Sequence, residues 1–358
     1  MSKFRRPTAI DLFCGAGGLS LGFEQSGFKV IAAIDSNPIN VSTYSKNFPS
    51  ATAICADIFE LTGEDIRRRC GLLRQQEIDV VFGGPPCQGF STIGKRDISD
   101  PRNALIFEFF RLVAELRPRY FVMENVAGLM YTVSRSVLEQ ALCGIRDAGY
   151  NWISPIQLLD AQEFGVPQRR RRVFVLGSKI GERGASYPRA TRNAATVWDA
   201  ISDLRSLRTA RKLYSSDVFE GSLGAPTIYS AKLRSEKFSR QLTGCLLCQH
   251  RDSVIERFRR TRPGSTEQIS RFSRLKKTSV APTLRAGTPR SHGSFTAARP
   301  IHPTQPRCIT VREAARLHSF PDWFQFHHTQ WHGFQQVGNS VPPLLARAVA
   351  RAVKRVSS

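Results

Sequence analysis

One unit recurs through the N-terminal part of the chain: a short β-branched apolar run, a polar or glycine residue where it stops, then a stretch with helical spacing. That alternation points to an α/β fold class built on an open sheet. Residues 8–13 read as a buried strand, and the glycine-rich turn 14–18 opens a helix that runs through Phe23. The next runs, 28–34 and 51–56, stop on Asp35 and Asp57; the run 78–82 feeds a Gly-Gly-Pro-Pro turn, and 120–123 presents Glu124, Asn125 and Val126. Open parallel sheets bind ligands outside the carboxyl ends of their strands, so these polar residues fall where a site is expected. Glycines in 14–18 let a ligand approach the backbone. Asp35 stands about where nucleoside-binding folds set a carboxylate against ribose hydroxyls.

The turn after the fourth run carries the most distinctive chemistry. In residues 80–91, Val-Val-Phe-Gly-Gly-Pro-Pro-Cys-Gln-Gly-Phe-Ser, two prolines fix the backbone so that Cys87 is presented as a mounted nucleophile. Most unpaired cysteines are simply small buried apolar residues. Here the turn, the polar loop 92–103 and the motifs that follow favour the nucleophile. A second feature is Gln168 with four successive arginines, 169–172. Like charges repel, so this run needs either several acidic partners or a phosphate and base to bind.

Helical spacing continues over 103–116, where Pro118 ends it, and over 136–148; strands are expected at 152–159 and 172–176, and a closing helix at 196–204. From about 205 to 306 the periodicity weakens, as in a separate loop-rich domain. Thr310 with Glu313 forms a capping box that opens a helix, and 336–343 reads as a turn whose prolines start a terminal helix toward Val353.

Charge is concentrated in the loop-rich part. The net charge is +23, and residues 205–307 hold 21 Lys and Arg against 6 Asp and Glu. That bias is the electrostatic footprint of a polyanion partner, with duplex nucleic acid the expected one. No stretch approaches the roughly 18 apolar residues of a membrane span, and Asp11 with its neighbouring glycines interrupts the N-terminal apolar run where a secretion signal is continuous. Eight cysteines are scattered without a disulfide framework, which places the chain in a reducing, cytoplasmic compartment. Cys245, Cys248 and His250 have ligand-like spacing but lack a fourth partner, so no metal is expected.

Taken together these residues resemble the DNA cytosine-5 methyltransferase family, in its bacterial type II modification methylase form. Residues 11–18 resemble its first motif, 84–89 its catalytic motif, 124–126 its acid motif, and 168–172 its Gln-x-Arg-x-Arg motif; 307–322 and 336–343 resemble its closing motifs. The resemblance spans most of the chain outside roughly 205–280. It implies an α/β catalytic domain over 1–205 plus 334–358, with a doubly wound, mostly parallel sheet, that binds S-adenosylmethionine, and a smaller basic target-recognition domain with hinge over 206–333. Double-stranded DNA would lie in the cleft between them, with a target cytosine flipped out of the duplex.

By that resemblance Cys87 adds to carbon-6 of cytosine, Glu124 serves ring nitrogen 3, and Arg172 with Arg170 binds the carbonyl oxygen. Phe13, Gly15, Gly17, Asp35, Asp57, Ile58, Leu105, Asn339 and Ser340 would hold the cofactor. Gln88, Ser91, Lys95, Arg96, Gln168, Thr283 and Leu284 would meet DNA, with the loop after Cys87 as the lid. It further implies a monomer associated with the nucleoid, and a restriction endonuclease as possible partner. An RNA cytosine methyltransferase on the same scaffold and a catalytically silent DNA-binding relative are the alternatives. The large basic block speaks against the first and the intact trio Cys87, Glu124, Arg172 against the second.

Overall fold

The computed structural model describes residues 5–86, 104–191, 195–208, 210–234, 241–288 and 299–357. They fall into two compact units: Met1–Asp160 with Arg171–Ala190 and Leu345–Ser358, and Ala161–Arg170 with Thr191–Leu344.

The first unit is built on an eight-stranded sheet. Its strands are β1 (Thr8–Leu12), β2 (Lys29–Asp35), β3 (Thr52–Cys55), β4 (Val80–Gly83), β5 (Tyr120–Val126), β6 (Tyr150–Trp152), β7 (Gln157–Asp160) and β8 (Arg171–Lys179). They run in the order β3-β2-β1-β4-β5-β8-β6, with β7 also pairing β8. The first five are parallel, while β8 is antiparallel to β5, β6 and β7. The order reverses between β1 and β4, so the crevice for a ligand opens beyond their carboxyl ends.

Helices cover both faces, which is why the strands read as continuous apolar runs. On one face α4 (Ala104–Leu116) and α5 (Thr132–Asp147) bury Phe109, Val113, Leu138 and Ile145 against Ile10, Val81 and Phe121. On the other, Phe23 of α1 (Gly18–Gln25) stacks on Phe82 with ring centroids 3.9 Å apart. Two shorter helices, α2 (Pro38–Asn47) and α3 (Gly63–Arg69), follow β2 and β3; Asn37 caps the first and a Thr62/Asp65 capping box the second.

In the second unit, α6 (Val197–Ile201), α7 (Ile228–Leu233), α8 (Asp252–Arg260), α9 (Val311–Leu317) and α10 (Gln330–Asn339) are joined by long irregular stretches. A two-residue strand pair, β9 (Phe219–Glu220) with β10 (Gln241–Leu242), completes it. The terminal helix α11 (Pro343–Ser357) returns to the first unit from Leu345 onward. Buried ion pairs hold much of this unit. Arg316 meets Asp203 at 3.1 Å and Asp322 at 2.6 Å, with all three side chains at zero exposure. Glu313 caps α9 through Thr310 and also accepts both terminal nitrogens of Arg307 at 2.7 and 2.8 Å.

The domain boundaries differ from the sequence expectation of 205 and 334. Residues 191–205 belong to the second unit because the Val197 and Trp198 N–H groups donate to Ser279 and Lys277 carbonyls. Residues 336–339, expected as a turn, complete α10, which packs through Gly333 onto Val311 of α9. The strand expected over 152–159 is broken into β6 and β7 around Pro155.

His302 makes this unit acid-sensitive. It is 4% exposed, its Nδ1 accepts N–H bonds from Thr304 and Gln305, and burial above all pulls its pKa down to about 4. The unfolded ring titrates near 6.5, so the unfolded chain takes up the proton first. Stability is therefore fully present above pH about 6.5 and is lost as pH falls toward 4, by on the order of 3 kcal/mol. His302→Asn keeps an acceptor for the two N–H groups without a titrating ring. Its urea midpoint should change less than wild type between pH 7 and pH 4.5; an identical pH response would show that other groups govern it.

Candidate active site

The β5 and β8 ladder brings Glu124 and Arg172 together. Glu124 lies opposite Phe174 in the antiparallel register and Val126 opposite Arg172, so Glu124 and Arg172 are diagonal neighbours on one face. Arg172 Nε meets Glu124 Oε1 at 2.9 Å, and the two side chains are 13% and 11% exposed. Burial pulls the Arg172 guanidinium below its ordinary value, and the Glu124 charge opposes that.

The next residue ties this pair to the catalytic turn. Asn125 Nδ2 donates to the Pro85 carbonyl at 3.1 Å while its Oδ1 accepts from Val126 N at 2.8 Å. Gly84 leaves room for the acid: a Cβ there would stand 2.8 Å from Glu124 Oε2. Sequence reasoning placed Asn125 and Gly84 in motifs without giving either a role, which only the folded neighbours supply. Cys87 itself, with Gln88, Ser91, Lys95 and Arg96, lies outside the described residues.

The arginine run sorts by alternation, as an extended backbone requires. Arg169 and Arg171 are exposed, Arg170 is buried and Arg172 faces Glu124. This corrects the expectation that Arg170 joins Arg172 on the base. Arg170 is 1% exposed and donates to the Leu284 carbonyl at 3.1 Å and the Gly338 carbonyl at 2.7 Å.

Gln168 likewise turns inward rather than toward DNA. Its Nε2 reaches the Leu317 carbonyl at 3.3 Å and His318 Nδ1 at 2.9 Å, and its Oε1 accepts from Leu284 N at 3.1 Å. Thr283 Oγ1 donates to the Arg169 carbonyl at 2.7 Å, and Leu284 is 3% exposed. Gln168 and Arg170 are therefore positioning residues that clamp the Thr283-Leu284 element from more than a hundred positions away. His318, inside the 307–322 motif but given no role there, extends the clamp through Nε2 to the Ser340 carbonyl at 2.9 Å.

The cofactor candidates divide the same way. Asp35 Oδ2 accepts from Gly15 N at 2.9 Å and Oδ1 from Asn37 N at 2.8 Å, fixing the loop after β1 to the end of β2. Burial pushes the Asp35 carboxyl up, and these N–H bonds oppose it. Phe13, half-buried at the loop's start, holds a backbone φ of 65° that is strained for a residue with a Cβ. Gly15, at φ 53°, has open space where a Cβ would stand, but a Cβ on Gly17 would come within 2.3 Å of the Phe48 ring. Gly17 thus serves packing.

Asp57 is exposed and caps a single 3-10 turn by accepting from Phe59 N at 3.1 Å, whereas the Ile58 side chain is 4% exposed and belongs to the core. Leu105 is partly buried against the same core. Ser340 donates its hydroxyl to the Gln336 carbonyl at 2.7 Å, and Asn339 is exposed at the end of α10. Among the described residues no group of three or more His, Cys, Asp or Glu is arranged to hold a metal, and no helix is long and apolar enough to cross a membrane.

Residues 8–355 match the model of C-5 cytosine-specific DNA methylase. The chain is 46% identical to the type II methyltransferase M.XorII of Xanthomonas oryzae pv. oryzae, over 98% of this chain and 85% of that protein. It is 34% identical to M1.HphI of Haemophilus parahaemolyticus, over 98% and 87%. A solved prophage-encoded DNA modification methyltransferase of E. coli superposes with a TM-score of 0.82 at 31% identity, covering 98% and 99%. The S. pombe Dnmt2 methyltransferase, at 19% identity and a TM-score of 0.60 over 98% of each chain, shares the fold alone. With a family model matched along nearly its whole length, the chain belongs to the C-5 cytosine-specific DNA methylases and is a DNA cytosine methyltransferase.

Proposed function

We propose that the chain methylates carbon-5 of a cytosine rotated out of duplex DNA, using S-adenosylmethionine and a covalent bond from Cys87 to carbon-6. The observation that carries this is the 2.9 Å Glu124–Arg172 pair, tied through Asn125 to Pro85 in the turn that leads to Cys87. Carbon-5 of cytosine is too weak a nucleophile unaided. Addition of the Cys87 thiolate to carbon-6 pushes electron density toward carbon-5 and nitrogen 3. Glu124, taking up a proton from water as the base enters, shares it with nitrogen 3, and Arg172 donates to the carbonyl oxygen, so charge developing on the ring meets fixed donors. Loss of the 5-proton then lets the thiol leave. Rotating the base out costs about a few kcal/mol, which phosphate contacts of the basic block offset.

Phe13, Gly15, Asp35, Asp57 and the Ile58 backbone are the residues that would hold the cofactor. They fit it on three observations. Open space stands over Gly15, the Asp35 oxygens keep a lone pair for a ribose hydroxyl after their three N–H bonds, and buried Asp11 Oδ1 has no hydrogen-bond partner among the described residues. When bound, the sulfonium supplies an activated methyl group.

The type II names of the relatives support a modification enzyme that shares its site with a restriction endonuclease. The test is transfer of labelled methyl groups to duplex DNA. Wild type should label DNA at cytosine carbon-5, and Cys87→Ala should bind DNA yet transfer nothing; transfer by the alanine variant would refute the nucleophile.

A further inference from the structure

We propose that the turn 266–273 reads bases of the target sequence, with Arg271 taking a guanine; the inference rests on the DNA-methylating role above. Its base is locked. An antiparallel bridge joins Thr266 to Ser273, Glu267 N donates to the Phe272 carbonyl at 2.8 Å, and Arg271 N donates to the Glu267 carbonyl at 3.0 Å. Phe272 packs against the small core of Phe258, Ile301 and Cys308. Arg274, just beyond, donates through Nη1 to the Phe258, Arg259 and Thr261 carbonyls at 3.0, 3.1 and 2.8 Å, pinning the turn to the last turn of α8.

The tip is held from inside by one carboxylate. Glu267 is 4% exposed and accepts from Ile269 N at 3.2 Å and Ser270 N at 2.6 Å, while Arg257 Nε of α8 stands 3.2 Å from Oε1. Burial pushes that carboxyl up, but the Ser270 hydroxyl, the two backbone N–H groups and Arg257 bring it below the ordinary range. A buried acid in an otherwise basic region is thus used to fix a backbone.

What the locked turn presents is a set of base-edge readers. Gln268, Ile269 and Arg271 are exposed, Ile269 at 70%. Arg271 is held at φ 60°, a strained conformation for a residue with a Cβ, in a position a glycine would fill without cost. Strain retained at an exposed arginine needs a use for that side chain's direction. Arg271 also lines a cavity of about 970 Å³ together with Arg169, Arg274, Lys276, Arg285 and Arg299, and among the described residues no acidic one lines it. Phosphates satisfy such a wall, and a projecting arginine can then reach guanine O6 and N7 in the major groove. Ile269 is suited to a thymine methyl beside it.

The test is methylation of a duplex library with randomised positions around the modified cytosine, read by bisulfite sequencing. Arg271→Ala should relax selection at one guanine position by roughly tenfold to a hundredfold, while selection elsewhere in the site holds. Arg271→Gly, which removes the backbone strain, should melt no lower than wild type and relax the same position, separating reading from folding. Ile269→Ala should loosen a neighbouring position. If both Arg271 variants keep the wild-type sequence profile, or lose activity uniformly across all sequences as a phosphate contact would, the inference is overturned. A wild-type protein that methylates no sequence defeats the underlying role instead and takes this inference with it; a profile altered at one position only supports both.

Discussion

Glu124→Gln is expected to slow methyl transfer by about a hundredfold to ten-thousandfold, the range for loss of a positioned acid. Glutamine keeps the volume of the side chain and an acceptor for Arg172 Nε, now 2.9 Å from Oε1, so the ladder of β5 and β8 survives. What it loses is the acidic proton for ring nitrogen 3. Single-turnover transfer should therefore fall while the melting temperature and DNA affinity stay near wild type. A rate within tenfold of wild type would remove Glu124 from the acid role. Equal losses in transfer, DNA binding and melting temperature would assign it to the fold.

The largest effect on stability is expected at Arg316. Its guanidinium meets Asp203 and Asp322 and donates to the Ala200 carbonyl at 3.0 Å, with no solvent reaching any of the three charged side chains. Arg316→Met leaves two buried carboxylates with much of their compensation gone, at a cost of about 3–5 kcal/mol. That is a large share of the roughly 5–15 kcal/mol that holds a typical domain together. Arg234 also pairs with Asp203 but is 23% exposed, so Arg234→Met should cost distinctly less. Urea unfolding followed through Trp198, which lies on α6 in the same unit, separates the two variants. Equal midpoints for Arg316→Met and wild type would mean that the cluster contributes nothing to stability.

The parallel core of the fold was readable because each of its strands is a short apolar run punctuated at its end. Runs such as 8–12 and 80–83 needed no partner to be recognised. Extents were harder. β5 continues through Glu124, Asn125 and Val126 because β8 pairs with them, and β8 itself begins on two arginines that alternation alone sorts into outward and inward. The last residues of α10, 336–339, were read as part of a turn because Gly338 and Asn339 are poor helix formers; packing on α9 overrides them.

The candidate site shows the same division. Local motif chemistry marked Glu124 and Arg172, and the structure pairs them. Arg170 and Gln168 were read as ligand contacts because nothing local shows their partners: Arg170 donates to Leu284 and Gly338, 114 and 168 residues away, and Gln168 to Leu317, 149 residues away. Buried side-chain-to-carbonyl bonds over such separations leave no periodic trace. The same long reach puts residues 161–170 and 191–205 in the second unit, ahead of the expected boundary at 205.

The central claim is that Cys87 becomes covalently joined to a cytosine ring while the methyl donor is bound. Duplex DNA carrying 5-fluorocytosine at the methylated position tests it directly, because fluorine blocks the loss of the 5-substituent that frees the enzyme. Incubation with S-adenosylmethionine should give a denaturant-resistant protein–DNA adduct whose peptide maps to Cys87, absent with Cys87→Ala. Methylation of ordinary DNA without any such adduct on the fluorinated duplex would contradict it.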